Sequence, residues 1–86
     1  MSNLNTKPSD RELLAAIVQR LVDDPEAVRV EEHDHGDANT YLTVWVAPHD
    51  RGKVIGREGV TAQALRVLFG RMAAVTGRKT FLELPA

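Results

Sequence analysis

Apolar residues recur at helical spacing near the start of the chain. Ser9 and Glu12 have the S-x-x-E spacing of a capping box, which marks the N-terminus of a helix. The apolar residues that follow share one helical face: Leu13, Leu14, Ile17, Val18, Leu21 and Val22. This spacing predicts a helix over residues 10–22, and Asp24-Pro25 is expected to stop it.

The next two periodic segments have the two-residue alternation of strands. Residues 27–33 form the first predicted strand, because Val28 and Val30 alternate with charged residues. A polar turn over residues 35–39 follows. Residues 41–47 are predicted as the second strand, whose two faces are easily separated. Leu42, Val44 and Val46 share one face, and Tyr41, Thr43 and Trp45 share the other.

A helix, a glycine-containing loop, a second helix and a final strand are predicted for the rest of the chain. The first helix is a short turn from His49 to Ile55, and the second covers residues 60–75 with Gly77 as its C-terminal cap. Gly70 is expected to interrupt this second helix. Its predicted core face consists of Leu65, Leu68, Phe69, Met72 and Thr76. A strand over residues 80–84 completes the order α-β-β-α-α-β, which predicts an α+β fold with helices on one face of a three-stranded sheet.

The amino-acid composition limits the cellular location and the kinds of chemistry to be expected. The 86 residues include no Cys, which excludes disulfides and thiolate chemistry, and no apolar run reaches the ~20 residues of a membrane span. We therefore expect a cytoplasmic protein without membrane association. We further expect a disordered lead over residues 1–8 and a single domain over residues 9–86.

The net charge of −1 conceals an asymmetric distribution of charges. Residues 1–50 carry ten acidic and four basic residues, whereas residues 51–79 carry seven basic residues against the single acid Glu58. A basic half can attract a polyanion even when the whole chain is almost neutral. The alternative is an ordinary solvated surface, and the charges alone do not decide between the two.

The basic segment contains the stretch RGKVIGREGV, residues 51–60, with three glycines. Glycine costs roughly 1 kcal/mol relative to Ala inside a helix, so this concentration needs a reason. The stretch fits neither the Walker pattern, because Gly56 is followed by Arg57, nor the Rossmann pattern, because Val54 lies two residues before Gly56. The remaining pattern, G-x-x-G between two helices, lets bare backbone and helix amides approach a phosphate. A plain helical-hairpin turn is the alternative.

The element order and this loop together resemble a KH domain of the type II arrangement. The segments VAP at 46–48, GKVIGREG at 52–59 and TAQALR at 61–66 are similar to the central signature of the small stand-alone bacterial KH proteins of the KhpA type. The resemblance covers nearly the whole chain. It implies non-catalytic binding of single-stranded RNA, about four nucleotides of which KH domains clamp. It implies no cofactor and no small-molecule substrate.

The resemblance places the RNA site in the loop and the two helices beside it. Residues 56–59 are expected to clamp the backbone; Ile55, Ala62 and Leu65 to line a base groove; and Lys53, Arg57 and Arg66 to attract phosphates. The full predicted set is Lys53, Ile55, Gly56, Arg57, Glu58, Gly59, Val60, Thr61, Ala62, Leu65 and Arg66. Glu58 departs from the basic or neutral residue that suits RNA. A protein-interaction module with a KH fold that no longer depends on RNA therefore stays as the alternative.

The predicted long helix has a second apolar stripe besides its core face. Its members are Val60, Ala64, Val67, Leu68, Arg71 and Ala74. Their spacing is that of a helix–helix seam and predicts self-association as a homodimer. In the alternative interpretation, the first helix covers the stripe within the monomer. The resemblance also implies a larger KH partner of the KhpB (Jag) type, chaperone-like RNA binding, and post-transcriptional regulation linked to cell growth, division or shape.

Two further features admit more than one interpretation. A metal site could be drawn from His33, Asp34, His35, Asp37 and His49. A polar turn explains these residues without converging ligands, so no metal is expected. Trp45 could stack on a base or pack on a neighbour such as Phe81. No Ser-His-Asp or Cys-His arrangement can be drawn, and no catalytic residue is predicted.

Overall fold

The computed structural model describes residues 9–36 and 38–84. Its helices and strands are α1 (Asp10–Gln19), β1 (Arg29–His35), β2 (Asn39–Trp45), α2 (Arg51–Ile55), α3 (Val60–Val75) and β3 (Lys79–Glu83). Short 3₁₀ turns lie at Pro25–Ala27, Pro48–Asp50 and Arg57–Gly59. The observed order confirms the predicted α-β-β-α-α-β fold. The expected lead over residues 1–8 lies outside the described residues, as do Asp37 and residues 85–86.

The three strands form one mixed sheet in the order β1-β2-β3. β1 and β2 are antiparallel, with Val30 opposite Val44, whereas β2 and β3 are parallel, with Tyr41 opposite Phe81. A parallel pair cannot be joined by a tight turn. The chain between β2 and β3 therefore crosses over the sheet, and this crossover contains α2, the glycine loop and α3.

The core lies between the sheet and the helices, which pack on one of its faces. Its buried members are Leu14, Val18, Val30, Leu42, Val44, Val54, Leu65, Phe69 and Leu82. On the opposite face of the sheet the rings of Tyr41 and Phe81 stack, with centroids 4.9 Å apart. The two predicted faces of the second strand are thus confirmed. The ring contact proposed for Trp45 with Phe81 instead joins Tyr41 and Phe81, and Trp45 remains half-exposed.

The capping box at the start of α1 is confirmed. The Glu12 backbone N–H donates to Ser9 Oγ at 3.1 Å, and the Ser9 N–H donates to Glu12 Oε1 at 2.9 Å. The hydrogen bond from the Ser9 N–H is the largest cause that lowers the pKa of the Glu12 carboxyl, and the Ser9 side chain lowers this pKa further. The helix ends at Gln19, three residues before the predicted end. The chain turns there because the amides of Asp23 and Asp24 bind a carboxylate from another part of the fold.

The strands are displaced by about two residues from their predicted bounds. Pro25–Ala27 forms a 3₁₀ turn, so β1 begins at Arg29 rather than at residue 27. Strand pairing then continues to His35 opposite Asn39, which moves the start of β2 forward and shortens the predicted polar turn. Gly36, at φ 72°, supplies the left-handed conformation for this tight connection.

α3 has the predicted bounds and the predicted C-terminus. The Gly77 N–H donates to Ala74 O at 3.0 Å and the Arg78 N–H to Ala73 O at 2.9 Å, which is the Schellman pattern. The expected interruption at Gly70 was wrong, since the helix is continuous through it. The predicted core face was wrong at two positions: Leu68 and Thr76 are exposed. The buried residues of α3 are Ala62, Leu65, Phe69 and Ala73. No helix in the described ranges is long and apolar enough to cross a bilayer.

Candidate nucleic-acid interface

The G-x-x-G segment, residues 56–59, forms the whole connection between α2 and α3. The Gly56 N–H ends α2 by donating to Gly52 O at 2.8 Å, and the Gly59 N–H donates to Gly56 O at 3.1 Å. Both loop glycines have positive φ angles, 81° at Gly56 and 78° at Gly59. Side chains with a Cβ rarely adopt such angles, so the turn depends on glycine at both ends.

The two glycines are required for different reasons. A Cβ on Gly56 would lie 2.4 Å from Thr61 Oγ1 and 2.8 Å from the Thr61 backbone nitrogen, so α3 itself occupies that space. A Cβ on Gly59 would meet no atom within 4 Å. From the sequence, open backbone was the reason expected for both glycines. That reason fits Gly59, whereas at Gly56 the requirement is a close contact within the chain.

Glu58 adopts a left-handed conformation, with φ 56° and ψ 25°. This conformation costs an L-residue other than Gly or Asn about 1 kcal/mol or more. The side chain of Glu58 is exposed, as is that of Arg57, and the two form no ion pair within the described ranges. The loop therefore holds its acid outward in a fixed, mildly strained backbone.

The N-terminus of α3 faces the loop without a side-chain cap. Its N-cap residue is Gly59, which has no side chain to accept hydrogen bonds from the amides of the first turn. The Val60 N–H already donates to Arg57 O, so the first-turn amides without an acceptor in an α-helix are those of Thr61 and Ala62, and the helix dipole adds a partial positive charge at the same place. The 16-residue helix α3 therefore offers donors to an anion beside Gly59.

The predicted site residues fall into three groups by exposure. Lys53, Arg57, Glu58, Val60 and Arg66 are exposed, while Ile55, Gly56, Gly59 and Thr61 are partly buried. Ala62 and Leu65 are only 4% and 6% exposed, and Leu65 belongs to the core cluster. Of the three apolar residues expected to line a base groove, Ile55 alone therefore keeps substantial exposed surface.

The three predicted basic residues differ in how far their charge is available. Lys53 Nζ lies 3.3 Å from Asp23 Oδ2 and 3.6 Å from Asp50 Oδ1. Arg57 and Arg66 form no ion pair with any residue that the structure describes. The positive field of the loop therefore comes from these two arginines and is partly offset by Glu58.

Asp50, which sequence reasoning did not single out, ties the loop helix to the rest of the fold. Its side chain is fully buried. Oδ1 accepts from the Asp23 N–H at 3.1 Å, and Oδ2 accepts from the Asp24 N–H at 3.0 Å. His49 Nε2 lies 3.5 Å from Oδ2. The sequence signal for the role of Asp50 was its position three residues before Lys53, with which it forms an ion pair.

The pKa of the Asp50 carboxyl reflects two opposed effects. Desolvation by burial raises this pKa. The backbone N–H groups of Asp23 and Asp24, with the charges of His49 and Lys53, lower it by more, and the pKa lies below its ordinary value. The carboxylate therefore stays ionised where it holds the turn after α1 against the start of α2.

The second apolar stripe of α3 is exposed. Val60, Val67 and Leu68 are 64%, 55% and 47% exposed, and Ala64, Arg71 and Ala74 are also exposed. The alternative in which α1 covers this stripe was therefore wrong. Part of the stripe forms an open groove, which also includes the loop. The groove is lined by Glu58, Gly59, Val60, Gln63, Ala64, Val67, Leu68 and Arg71.

The histidines and acids that the structure describes near the β-hairpin each contact a different residue and do not converge on one point. His33 Nε2 lies 3.8 Å from Glu31, Asp34 accepts a hydrogen bond from Thr40, and His35 packs edge-on against Tyr41. Across residues 9–36 and 38–84, no three His, Asp or Glu side chains are grouped to hold a metal ion. Asp37, the remaining member of the hairpin group, lies outside the described residues.

A mixed three-stranded sheet with helices on one face, and a G-x-x-G loop between its second and third helices, defines a KH-type domain. The sequence model of the family described as "KhpA/KhpB, KH domain" matches residues 11–84. The chain belongs to this family.

Relatives from several bacteria are similar along most of their length. "RNA-binding protein KhpA" of Caldanaerobacter subterraneus subsp. tengcongensis is 41% identical over 85% of this chain and 96% of its own. The proteins of the same name from Halalkalibacterium halodurans and Borreliella burgdorferi are 42% and 41% identical over 84% and 85% of this chain, and over 93% and 88% of their own. No solved structure matches the chain.

Proposed function

We propose that this protein binds single-stranded RNA in the cytoplasm, without catalysis, through the loop at residues 56–59. The observation that carries the proposal is the uncapped N-terminus of α3. It lies beside an open Gly59 and near Arg57 and Arg66, which form no ion pair among the described residues. Membership in a family whose relatives are named RNA-binding proteins supports the same conclusion.

In the proposed complex, the RNA backbone crosses the loop and the bases lie beside α2. Phosphate oxygens accept hydrogen bonds from the first-turn amides of α3, and the bare backbone at Gly59 leaves room for this approach. Ile55, which is partly buried, supplies apolar surface to the bases, whereas Ala62 and Leu65 are buried. Such a groove accommodates about four nucleotides.

The charges predict modest affinity with a shallow salt dependence. Lys53 is already paired with Asp23 and Asp50, so within the described ranges Arg57 and Arg66 are the cations of the site that have no acidic partner. Two contacts at roughly −0.7 each give a slope of about −1.4 in a plot of log affinity against log salt. A slope of about −5, from seven contacts at roughly −0.7 each, would instead mean that RNA follows the whole basic half of the chain.

The double variant Arg57→Asp/Glu58→Asp tests the site. It places negative charge against the phosphate without altering the glycines, and Asp tolerates the left-handed conformation of residue 58. We expect fluorescence anisotropy with a labelled single-stranded RNA to show at least a tenfold loss of affinity. The matched control, Arg20→Asp/Glu26→Asp, makes the same net charge change on exposed residues outside the site and should bind as the parent does. Equal RNA binding by the loop variant and the parent would exclude the loop as the RNA-binding site.

A second role, in protein contact, is favoured by the exposed stripe on α3. We propose that two copies associate through this stripe, since Val60, Val67 and Leu68 leave a continuous apolar surface in water. Sedimentation of Val67→Glu tests the idea: the variant should be monomeric at concentrations where the parent is dimeric, with an unchanged circular dichroism spectrum. Unfolding of this variant would contradict the exposure of Val67 in the structure.

Other parts of the sequence-based interpretation stay predictions. These are the larger KhpB (Jag)-type partner, the chaperone-like binding and the link to cell growth, division or shape. A KH module that acts through protein contacts alone is the competing function. It predicts that the parent protein captures no RNA when crosslinked in cells.

A further inference from the structure

The groove along α3 has opposite charges at its two ends. Glu58 lies at the loop end and Arg71 lies near the C-terminal end, with apolar residues between them. Both charged side chains are exposed, and neither forms an ion pair with a residue in the described ranges. Glu58 precedes α3, and the part of the helix from Val60 to Arg71 alone spans about 16 Å at ~1.5 Å per residue, too far for the two side chains to pair with each other. A ligand of the groove would therefore meet an acid at one end and a base at the other.

A second copy of this chain, packed antiparallel, matches this pattern. A two-fold axis that passes between Ala64 and Val67 sets Ala64 against Val67 of the partner subunit and Val60 against Arg71 of the partner subunit. Ala64 is small enough to let the two helices come close. Glu58 is two residues before Val60 and lines the same groove, so this arrangement brings it to the end of the seam where Arg71 of the partner subunit lies.

We infer that, in the dimer proposed above, Glu58 pairs with Arg71 of the partner subunit, so that each copy completes the loop of the other. The inference rests on self-association through α3 and adds its orientation and its contacts. Parallel packing would bring Glu58 against Glu58 and Arg71 against Arg71, which is repulsive at both ends. Antiparallel packing forms the attractive pair twice by symmetry.

The pair also accounts for an acid in a loop that faces an anion. Within one chain, Glu58 lies beside Arg57 and the N-terminus of α3, where its charge would repel RNA phosphates. In the dimer, the guanidinium of the partner's Arg71 offsets that charge. Glu58 thus belongs to the contact between copies, and the amides of α3 and Arg57 remain for the RNA.

Charge reversal at each position, followed by mixing, tests the pair. Glu58→Arg and Arg71→Glu each turn both contacts of a homodimer repulsive. In the mixed dimer, the two substituted side chains, one arginine and one glutamate, face each other at one end. The unsubstituted Arg71 and Glu58 face each other at the other end, so both contacts become attractive. By sedimentation velocity at low salt, each variant alone should dissociate with a constant about 10- to 50-fold larger than the parent's. The equimolar mixture should return to the parent's value.

Control variants separate this pair from general electrostatic effects. Arg20→Glu and Glu26→Arg make the same charge changes on exposed residues that do not line the groove, and they should leave association unchanged. The losses should shrink at about 1 M salt, where charges are screened beyond about 3 Å. If circular dichroism shows that a reversal variant is unfolded, Glu58→Gln and Arg71→Gln replace the reversals: each alone loses both ion pairs, and their mixture should recover one of the two.

Each result that would contradict the inference rejects a different part of it. A parent that dimerises together with single variants that dimerise equally well would overturn the pair and leave the dimer standing. Single variants that are weakened but do not recover on mixing would also overturn it. A mixture tighter than the parent, with single variants unchanged, would show parallel packing. A parent that stays monomeric at high micromolar concentration would overturn self-association itself and leave the groove to a different protein.

Discussion

Replacement of Gly56 by Ala tests the geometry of the loop on which the proposed site depends. The backbone at this position has φ 81° and ψ 168°, a region that is essentially restricted to glycine. Forcing Ala into it costs about 1–3 kcal/mol. The new Cβ would also lie 2.4 Å from Thr61 Oγ1, and overpacking of this kind costs about 1–3 kcal/mol more. We expect the free energy of unfolding to fall by roughly 3 kcal/mol in total.

Gly59→Ala is the matched control, because it changes the other loop glycine in the same way. Its φ of 78° and ψ of 12° lie in the left-handed region, and a Cβ there meets no atom within 4 Å. The expected cost is about 1 kcal/mol. Adding Thr61→Ala to Gly56→Ala should recover little of the lost stability. The Cβ of residue 61 and its backbone nitrogen remain, 2.7 Å and 2.8 Å from the position of the new Cβ on residue 56.

Urea denaturation followed by circular dichroism measures both losses. With a slope of about 1.5 kcal/mol per molar urea, the midpoint should fall by about 2 M for Gly56→Ala and about 0.7 M for Gly59→Ala. Equal midpoints for the two variants would refute the argument that Thr61 fills the space beside Gly56. Full recovery in the double variant with Thr61→Ala would refute the part assigned to the backbone.

Two further predictions concern stability outside the loop glycines. Gly70→Ala should raise the melting temperature by several degrees and the free energy of unfolding by up to about 1 kcal/mol. Gly70 lies inside α3 in an ordinary helical conformation, and a new Cβ there would meet no atom within 4 Å. A lower melting temperature would contradict this. The carboxyl of Asp50 has a lowered pKa in the folded state, so its contribution to stability should be complete above pH ~4, near the pKa of an unfolded Asp, and should be lost as the pH falls through the folded value. Asp50→Asn should lower stability at about pH 7 and flatten this acid dependence in melting experiments, and an unchanged acid limb would refute the assignment.

The long helix and the loop could be predicted from sequence because their determinants are local. Regular apolar spacing fixed the bounds of α3, and the αL cap at Gly77 fixed its end. The error at Leu68 has a physical cause: α3 has apolar residues on two opposite faces, and spacing alone does not tell which face meets the core. Burial against the sheet decides this, and it selects the face that contains Phe69.

The contacts that hold the loop helix could not be predicted because they are not local. Asp50 binds amides that lie up to 27 residues earlier in the chain, and Lys53 pairs with Asp23 across a similar gap in sequence. No periodicity encodes such a contact. The strand bounds moved by two residues for a related reason, since pairing across the hairpin, rather than the apolar pattern of each strand, determines where the ladder ends.

Crosslinking of the native protein to RNA in cells, followed by mass spectrometry of the crosslinked peptides, tests the central claim most directly. We predict RNA crosslinks within residues 53–66, the segment that contains the loop, the end of α2 and the start of α3. The Arg57→Asp/Glu58→Asp variant, expressed at the same level, should lose them. The absence of RNA crosslinks to the native protein, or crosslinks confined to the face of the sheet that holds Tyr41 and Phe81, would contradict the account.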